Sequence, residues 1–150
     1  MAASDKTAVT PAPFIVHEYV RWGDVDPAGI IRYDAYLRFF EYGEGEFFRA
    51  LGIPYGELIS RFKIGIPRRV MHADFVSPAL LDERLEIRVY ISHVGTTSMK
   101  MHFDIYSMDG VAREIGYMVF VCVDPGTSNK RPWPQALIAL LEPFRLTSPD

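Results

Sequence analysis

The segment GDVDPAGIIRYDAYLRFFEYGEGEFFRALG, residues 23–52, decides the fold of this chain. Its first part, residues 23–33, combines Asp, Pro and Gly, the residue types that build structured loops. Residues 34–51 contain no proline, and their apolar side chains recur at steps of three and four residues. This pattern predicts one long helix with a wide apolar face. Asp34 is the expected N-cap of this helix and Gly52 its expected end.

The aromatic side chains of the predicted helix indicate that it is deeply buried. Gly43 and Gly45 in its middle cost about 1 kcal/mol each relative to alanine, so a neighbouring backbone should approach closely there. Glu41, Glu44 and Glu46 are expected to mark the polar side of the helix.

The rest of the chain shows mainly the patterns of β-strands. One strand is predicted before the loop, over residues 14–22. Residues 112–123 are apolar on both faces, which predicts a central strand or a strand covered by a second subunit. The other predicted elements are a short helix over 55–62, strands over 65–77, 85–91 and 99–105, and a terminal helix over 135–141. This order predicts an α+β domain in which the long helix packs on one face of a curved antiparallel sheet.

Composition restricts the class of protein. At 150 residues the chain has the size of one domain, predicted over residues 14–150 behind a flexible tail of residues 1–13. Its net charge of -3 includes no long block of either sign, which argues against a nucleic-acid partner. No apolar stretch approaches the roughly 20 residues that span a bilayer, so no membrane partner is expected either. The single cysteine, Cys122, is compatible with the reducing cytoplasm, where we expect the protein, and the scattered histidines predict no metal site.

Residues 20–36 resemble the signature of the 4-hydroxybenzoyl-CoA thioesterase family, in which a strand ends in a Gly-Asp-x-Asp-Pro-Ala-Gly loop that leads into a buried helix. The resemblance extends to residues 73–79 and to Asp82, and it covers most of residues 14–124. It implies the hot-dog fold, a curved antiparallel sheet wrapped around one long central helix. It also implies hydrolysis of an acyl-CoA or acyl-carrier-protein thioester to free acid and thiol, with no cofactor.

The same resemblance assigns roles within the loop. Asp26 is implied as the catalytic carboxylate, either as nucleophile or as general base, and Tyr33 as the donor of a backbone N–H to the thioester carbonyl oxygen. Pro27, Gly29 and Arg32 are the expected substrate-binding residues. Physical chemistry makes these roles credible, since the first N–H groups of a helix lack internal partners and carry partial positive charge. The thiol that is released has a pKa of about 8.5, so it can leave the thioester as a thiolate without strong acid assistance.

The sequence departs from the family pattern at residues 32–35. Arg32 stands where a bulky apolar residue is common. It could bind a carboxylate or phosphate of the substrate, but pairing with Asp34 or a helix glutamate is favoured. Asp24 is interpreted as structural.

Other functions remain open from the sequence. The carboxylates of Asp24, Asp26 and Asp34 could simply accept hydrogen bonds from N–H groups of the turn and of the helix start. A magnesium site on the paired aspartates has little support. The chain could also be a hot-dog acyl-binding or assembly module without catalysis. A hot-dog dehydratase is disfavoured because the Asp26 loop contains no histidine. Finally, unpaired edges of an antiparallel sheet favour self-association, so a homodimer or homotetramer is expected.

Overall fold

A five-stranded antiparallel sheet and a long helix on one of its faces make up the framework of the protein. The computed structural model describes residues 9–148. The strands follow the spatial order β1-β3-β4-β5-β2. They are β1 (Phe14–Tyr19), β2 (Arg68–Phe75), β3 (Arg84–Val94), β4 (Ser98–Ser107) and β5 (Ala112–Val121), and the helices are α1 (Tyr36–Ala50), α2 (Tyr55–Phe62) and α3 (Gln135–Leu141). The predicted α+β class is confirmed.

The core lies between α1 and the sheet. Alternate residues of β3 and β4 point towards the helix, as the period-two pattern predicts, and they are completely or almost completely buried. Phe39, Phe40 and Phe47 of α1 are fully buried against them. The Phe40 ring stacks on Phe103 of β4 with ring centroids 4.9 Å apart, which fixes the helix on the sheet. Within residues 9–148, no helix is long and apolar enough to cross a membrane.

The start of the long helix differs from its prediction. The predicted N-cap, Asp34, is wrong because Asp34 lies inside a 3₁₀ turn, Tyr33–Ala35, that precedes the α-helix. Ala35 occupies the cap position of α1 and provides no side-chain cap. With 15 residues, α1 is about 22 Å long. Its predicted end at Gly52 is confirmed, since this glycine adopts a φ of 76° that other residues disfavour.

Close packing accounts for the two glycines in the middle of α1. A Cβ atom on Gly43 would lie 3.0 Å from Ile87 and 3.2 Å from Val89, so the helix sits directly on β3 at this point. A Cβ atom on Gly45 would lie 3.5 Å from the Tyr55 ring, where α2 packs. The predicted close approach of a neighbouring backbone is therefore wrong, because the atoms nearest to these glycines belong to side chains.

The prediction that Glu44 belongs to the polar side of α1 is wrong. Glu44 is 1% exposed and forms an ion pair with Arg68 at the start of β2. Its burial raises the pKa of the Glu44 carboxyl, and Arg68 opposes that rise. The helix pattern misplaces Glu44 because it does not show that Arg68, 24 positions further along the chain, pairs with this carboxylate.

The start of the chain is only partly described. Residues 1–8 of the predicted flexible tail lie outside the described residues, so the tail stays a prediction. Residues 9–13 form neither helix nor strand, and the Ala12 N–H donates a hydrogen bond of 3.1 Å to the Pro143 carbonyl oxygen.

Candidate active site

Residues 25–31 form a tight hairpin rather than an irregular loop. Val25 and Ile31 pair as an antiparallel bridge, the Asp26 N–H donates to the Ile30 carbonyl oxygen at 3.0 Å, and the Gly29 N–H donates to the Asp26 carbonyl oxygen at 2.9 Å. Pro27 suits the second position of such a turn because its ring presets φ, and Gly29 takes a φ of 79° that closes it. The Asp-Pro-Ala-Gly sequence therefore specifies this turn locally.

The Asp26 carboxylate has one occupied and one free oxygen. Its Oδ1 accepts the Ala28 N–H at 2.8 Å, which stabilises the turn in the way that aspartate often does. Within residues 9–148, its Oδ2 has no hydrogen-bond partner. The residue is half-buried and lines a cavity of about 310 Å³. The other lining residues are Trp22, Val25, Pro27, Gly29 and Leu81.

Tyr33 begins the 3₁₀ turn that leads into α1. Its side chain is 77% exposed, and its backbone N–H has no acceptor within the part of the chain that the structure describes. A free N–H at this end of a helix is suited to a negatively charged or polarised oxygen. Tyr33 lines a second cavity of about 390 Å³, with walls that include Tyr36 and Phe75.

Residues of the hairpin line both cavities. Asp26, Pro27 and Gly29 line the first, whereas Tyr33 and Ile30 line the second. Arg32 lines neither of them. The carboxylate and the free N–H thus belong to one short segment, residues 26–33, and each lines one of the two cavities.

A family model described as the thioesterase-like superfamily matches residues 20–141. The chain belongs to this superfamily. Acyl-CoA thioester hydrolase YbgC of Escherichia coli O157:H7 is 26% identical over 120 residues, which cover 80% of this chain and 89% of YbgC. A thioesterase superfamily structure from Jannaschia sp. CCS1 matches with a TM-score of 0.81 at 26% identity and covers 92% of this chain and 99% of the other. The structure of the gentisyl-coenzyme A thioesterase BH1999 matches with a TM-score of 0.74 at 26% identity, over 85% of this chain and 99% of the other.

These matches confirm the predicted hot-dog fold and the resemblance to 4-hydroxybenzoyl-CoA-type thioesterases. The superfamily member described here is a thioester hydrolase. Within residues 9–148, no three histidine, cysteine or acidic side chains lie close enough to hold a metal ion.

In this thioesterase, Asp24 and Arg38 fasten the hairpin to α1. The Arg38 guanidinium donates to both carboxylate oxygens of Asp24, at 2.9 and 2.5 Å, and to Glu18 at 3.0 Å. The Asp24 carbonyl oxygen in turn accepts the Arg32 N–H at 2.8 Å, across the base of the hairpin. Burial would raise the pKa of the Asp24 carboxyl, but hydrogen bonds from Arg38 and from the Arg21 N–H outweigh it and hold that pKa below its usual range. Asp24 is therefore an anchor for the residues around Asp26.

Arg32 makes the pairing that its sequence position favours. Its Nε donates to Asp34 at 3.0 Å and its Nη1 donates to the Gly23 carbonyl oxygen at 2.7 Å. The pKa of the Asp34 carboxyl is lowered by this hydrogen bond. Both side chains are about half exposed, so this ion pair contributes little to stability.

Strand β5 contains a buried acid that the sequence pattern missed. The prediction that residues 112–123 are apolar on both faces is wrong, since Glu114 is completely buried on the face that packs against α1. The available signal was a single glutamate at an inward position of an otherwise apolar strand. Phe75 and Tyr36, which line the second cavity, lie within segments that the family resemblance included, but their side-chain contact was not predicted.

Proposed function

We propose that this protein hydrolyses acyl-CoA or acyl-carrier-protein thioesters to a free acid and a thiol, with Asp26 as the catalytic carboxylate. The observation that carries the proposal is the free Oδ2 of Asp26 on a cavity wall. The N–H of Tyr33, which begins the 3₁₀ turn leading into α1, is also free and adds support. The names of two relatives, an acyl-CoA thioester hydrolase and a gentisyl-coenzyme A thioesterase, support coenzyme A as the thiol carrier.

The chemistry needs an attacking oxygen and a group that stabilises the developing negative charge. As a nucleophile, Asp26 would attack the carbonyl carbon and release the thiolate, which takes a proton from solvent, and water would then hydrolyse the resulting anhydride. As a general base, Asp26 would remove a proton from a water molecule that attacks the same carbon. In both routes the Tyr33 N–H would donate to the carbonyl oxygen as it becomes negative, and Pro27 and Gly29 would shape the hairpin around the thioester.

The charged end of the substrate requires a local cation, because the chain as a whole is negative. Arg32 is suited to this role, since its guanidinium is exposed beside the hairpin and is held only by an exposed carboxylate and one carbonyl oxygen. A planar guanidinium binds phosphate or carboxylate groups through two parallel hydrogen bonds. We therefore propose that Arg32 contacts an anionic group of the substrate when it is bound.

Self-association follows from the edge of the sheet. β2 is an edge strand with most of its residues exposed, and its apolar side chains Val70 and Met71 are 39% and 42% exposed. An exposed edge with apolar side chains is a template for pairing with another strand. We propose a homodimer, or a homotetramer built from such dimers, in which a second copy covers β2. Light scattering coupled to size-exclusion chromatography measures the oligomeric state directly, and a monomer would contradict this proposal.

The role of the Tyr33 N–H can be tested by removing this one hydrogen atom. Proline is tolerated at the first position of a helix, and Arg32 already has the extended conformation, φ −73° and ψ 146°, that a residue before proline prefers. Tyr33→Pro should therefore fold normally but lower kcat by about a hundredfold or more, the usual effect of losing one such donor. Tyr33→Ala keeps the N–H and should retain most activity, because the side chain is exposed. Equal activity of the proline and alanine variants would contradict the assignment.

The role of Asp26 can be tested without disturbing its turn. The Asn side chain still offers an oxygen to the Ala28 N–H, so Asp26→Asn should keep the hairpin and the melting temperature. Thiol release from a panel of aromatic, short-chain and long-chain acyl-CoA should be abolished. Turnover by Asp26→Asn at the wild-type rate would refute the proposal, and no turnover by the wild-type protein would favour a non-catalytic acyl-binding module. Label found in the Asp26 carboxylate after single-turnover hydrolysis in isotopically labelled water would identify Asp26 as the nucleophile, since only an anhydride attacked at the Asp26 carbonyl leaves label there.

A further inference from the structure

Glu114 is a buried carboxyl group for which the fold offers no partner. It lies on β5 opposite Ile105 of β4 and Phe75 of β2, on the face that packs against α1, and it is completely buried. Within residues 9–148, neither of its side-chain oxygens has a hydrogen-bond partner. An unpaired carboxyl in this position is unfavourable, because buried polar groups lose their water without replacement.

Its surroundings keep this carboxyl group protonated. Burial, followed by the nearby charges of Asp104 and Asp74, raises the pKa of Glu114 to about 9. At neutral pH the side chain therefore carries one O–H donor and retains acceptor capacity on both oxygens. A protonated carboxyl can bind a neutral polar group, such as a hydroxyl or a carbonyl, without separating charge.

Glycine 116 leaves the space that this carboxyl occupies. A Cβ atom on Gly116 would overlap the Glu114 carboxyl and would also lie 2.6 Å from the His72 carbonyl oxygen and 2.7 Å from the Phe40 ring. Glycine inside a strand weakens the strand and often marks a place where another group must approach. The buried glutamate is thus accommodated by a glycine two residues later in the same strand.

Two aromatic rings connect Glu114 with the second cavity. Phe75 is the cross-strand neighbour of Glu114 and lines the cavity of about 390 Å³. Tyr36 lines the same cavity and stacks on Phe75 with ring centroids 5.6 Å apart. The pKa of the Tyr36 hydroxyl is raised, chiefly by burial and then by the nearby Glu114. Both rings therefore lie next to the cavity and also next to Glu114.

We propose that Glu114 determines acyl-group specificity, by forming a hydrogen bond to a hydroxyl or carbonyl substituent of an acyl group that occupies the second cavity and displaces the stacked rings of Tyr36 and Phe75. This inference rests on the proposed function, because it takes the second cavity as the acyl pocket of the thioesterase. An acyl group with a correctly placed polar substituent would give Glu114 the partner that it lacks. An apolar acyl group of the same shape would leave the carboxyl unpaired, and a site with a buried unpaired group discriminates strongly against such analogues.

The test compares matched thioesters and matched variants. The substrates are phenylacetyl-CoA with its meta- and para-hydroxy derivatives, and hexanoyl-CoA with its terminal hydroxy derivative. The wild-type protein should favour at least one hydroxylated member over its parent by about tenfold in kcat/KM, the effect of one net hydrogen bond. Glu114→Met, which keeps the length but loses the hydrogen bond, should reduce that ratio to about one, and Glu114→Gln should retain part of it because its amide still donates and accepts. Glu57→Gln, an exposed change on α2, should leave the ratio unaltered.

Binding measurements keep this test separate from the proposed catalysis. Calorimetry with non-hydrolysable thioether analogues of the same acyl groups should show the same tenfold preference, and the same loss in Glu114→Met. If no thioester is hydrolysed but this binding preference is found, the proposed function fails and the role of Glu114 stands. If the wild-type protein shows no preference, or if folded Glu114→Met keeps it in both measurements, the role of Glu114 is refuted.

Discussion

Replacing Glu114 with methionine should change how the stability of the protein depends on pH. The glutamate is fully buried without a hydrogen-bond partner, and its pKa is raised to about 9, against 4.5 for the ordinary side chain. Between these two values the folded state holds a proton at this position that the unfolded chain has released. The free energy of unfolding must therefore fall as pH rises through this range.

The magnitude follows from the linkage between protons and folding. One bound proton changes the free energy of unfolding by about 1.4 kcal/mol for each pH unit. From about pH 5.5 to about pH 7.5, both inside the window, the contribution of Glu114 to stability should fall by about 2.7 kcal/mol. Because methionine does not titrate, the advantage of Glu114→Met over the wild-type protein should grow by this amount. At the lower pH the variant should already be more stable, since it removes an unpaired polar group from the core.

Urea denaturation followed by tryptophan fluorescence measures this effect. The slope of unfolding free energy against urea is about 1–3 kcal/mol per molar for a small protein, so the gap between the two midpoints should widen by about 1 M or more. Other buried groups such as His102, whose pKa is lowered to about 4 chiefly by burial, affect both proteins equally and cancel in the comparison. Glu57→Gln controls for the loss of one exposed acid. Wild-type and Glu114→Met midpoints that move in parallel with pH would show that the carboxyl is ionised or solvated in the folded protein.

Three further predictions concern the anchoring of the hairpin, the packing of β5 and the cysteine. Arg38→Ala should destabilise the protein by about 2 kcal/mol in urea denaturation, less than the loss of a fully buried ion pair, because Arg38 is partly exposed. The same variant should lower kcat more than it raises KM, and an unchanged kcat would contradict the anchoring role of Arg38. Gly116→Ala should cost about 1–3 kcal/mol or more through overpacking against Phe40, whereas an unchanged melting temperature would show that the ring can move away. Cys122 is buried, and burial raises the pKa of its thiol, so a thiol-specific disulfide reagent should label it only as fast as the protein unfolds; rapid labelling at neutral pH would contradict its burial.

Several elements follow the sequence closely, because short-range rules govern them. α2 and α3 have the predicted bounds, Tyr55–Phe62 and Gln135–Leu141, and the alternation of β3 and β4 identifies their buried faces. The turn around Asp26 is closed by hydrogen bonds between residues at most eight positions apart, from Asp24 to Arg32, although Gly29 and Ile31 also bond to the distant segment 79–81. The local hydrogen bonds need no distant partner, which explains why the Asp-Pro-Ala-Gly pattern is sufficient to predict a structured loop.

Other features depend on what packs against each element. Periodicity assigned Glu44 to a polar helix face, but α2 and Arg68, which is 24 positions away along the chain, enclose it. The same reasoning made Asp34 a helix cap, although Arg32 draws its carboxylate into a side-chain pair within a 3₁₀ turn. Both errors arise because a one-dimensional pattern cannot count the neighbours of a side chain.

By itself, the sequence determined the fold class and the structured loop, since local hydrogen bonds and hydrophobic periodicity are encoded within a few residues. The choice of Asp26 and Tyr33 as site candidates came from the resemblance of residues 20–36 to a thioesterase signature. Only the tertiary structure decided that Asp26 keeps one free oxygen on a cavity wall, that Arg38 fastens the hairpin, and that Glu114 lies unpaired beside Tyr36 and Phe75. These properties depend on burial and on contacts between segments far apart in the chain. The desolvation and the hydrogen bonds of a side chain are fixed only when those segments pack together.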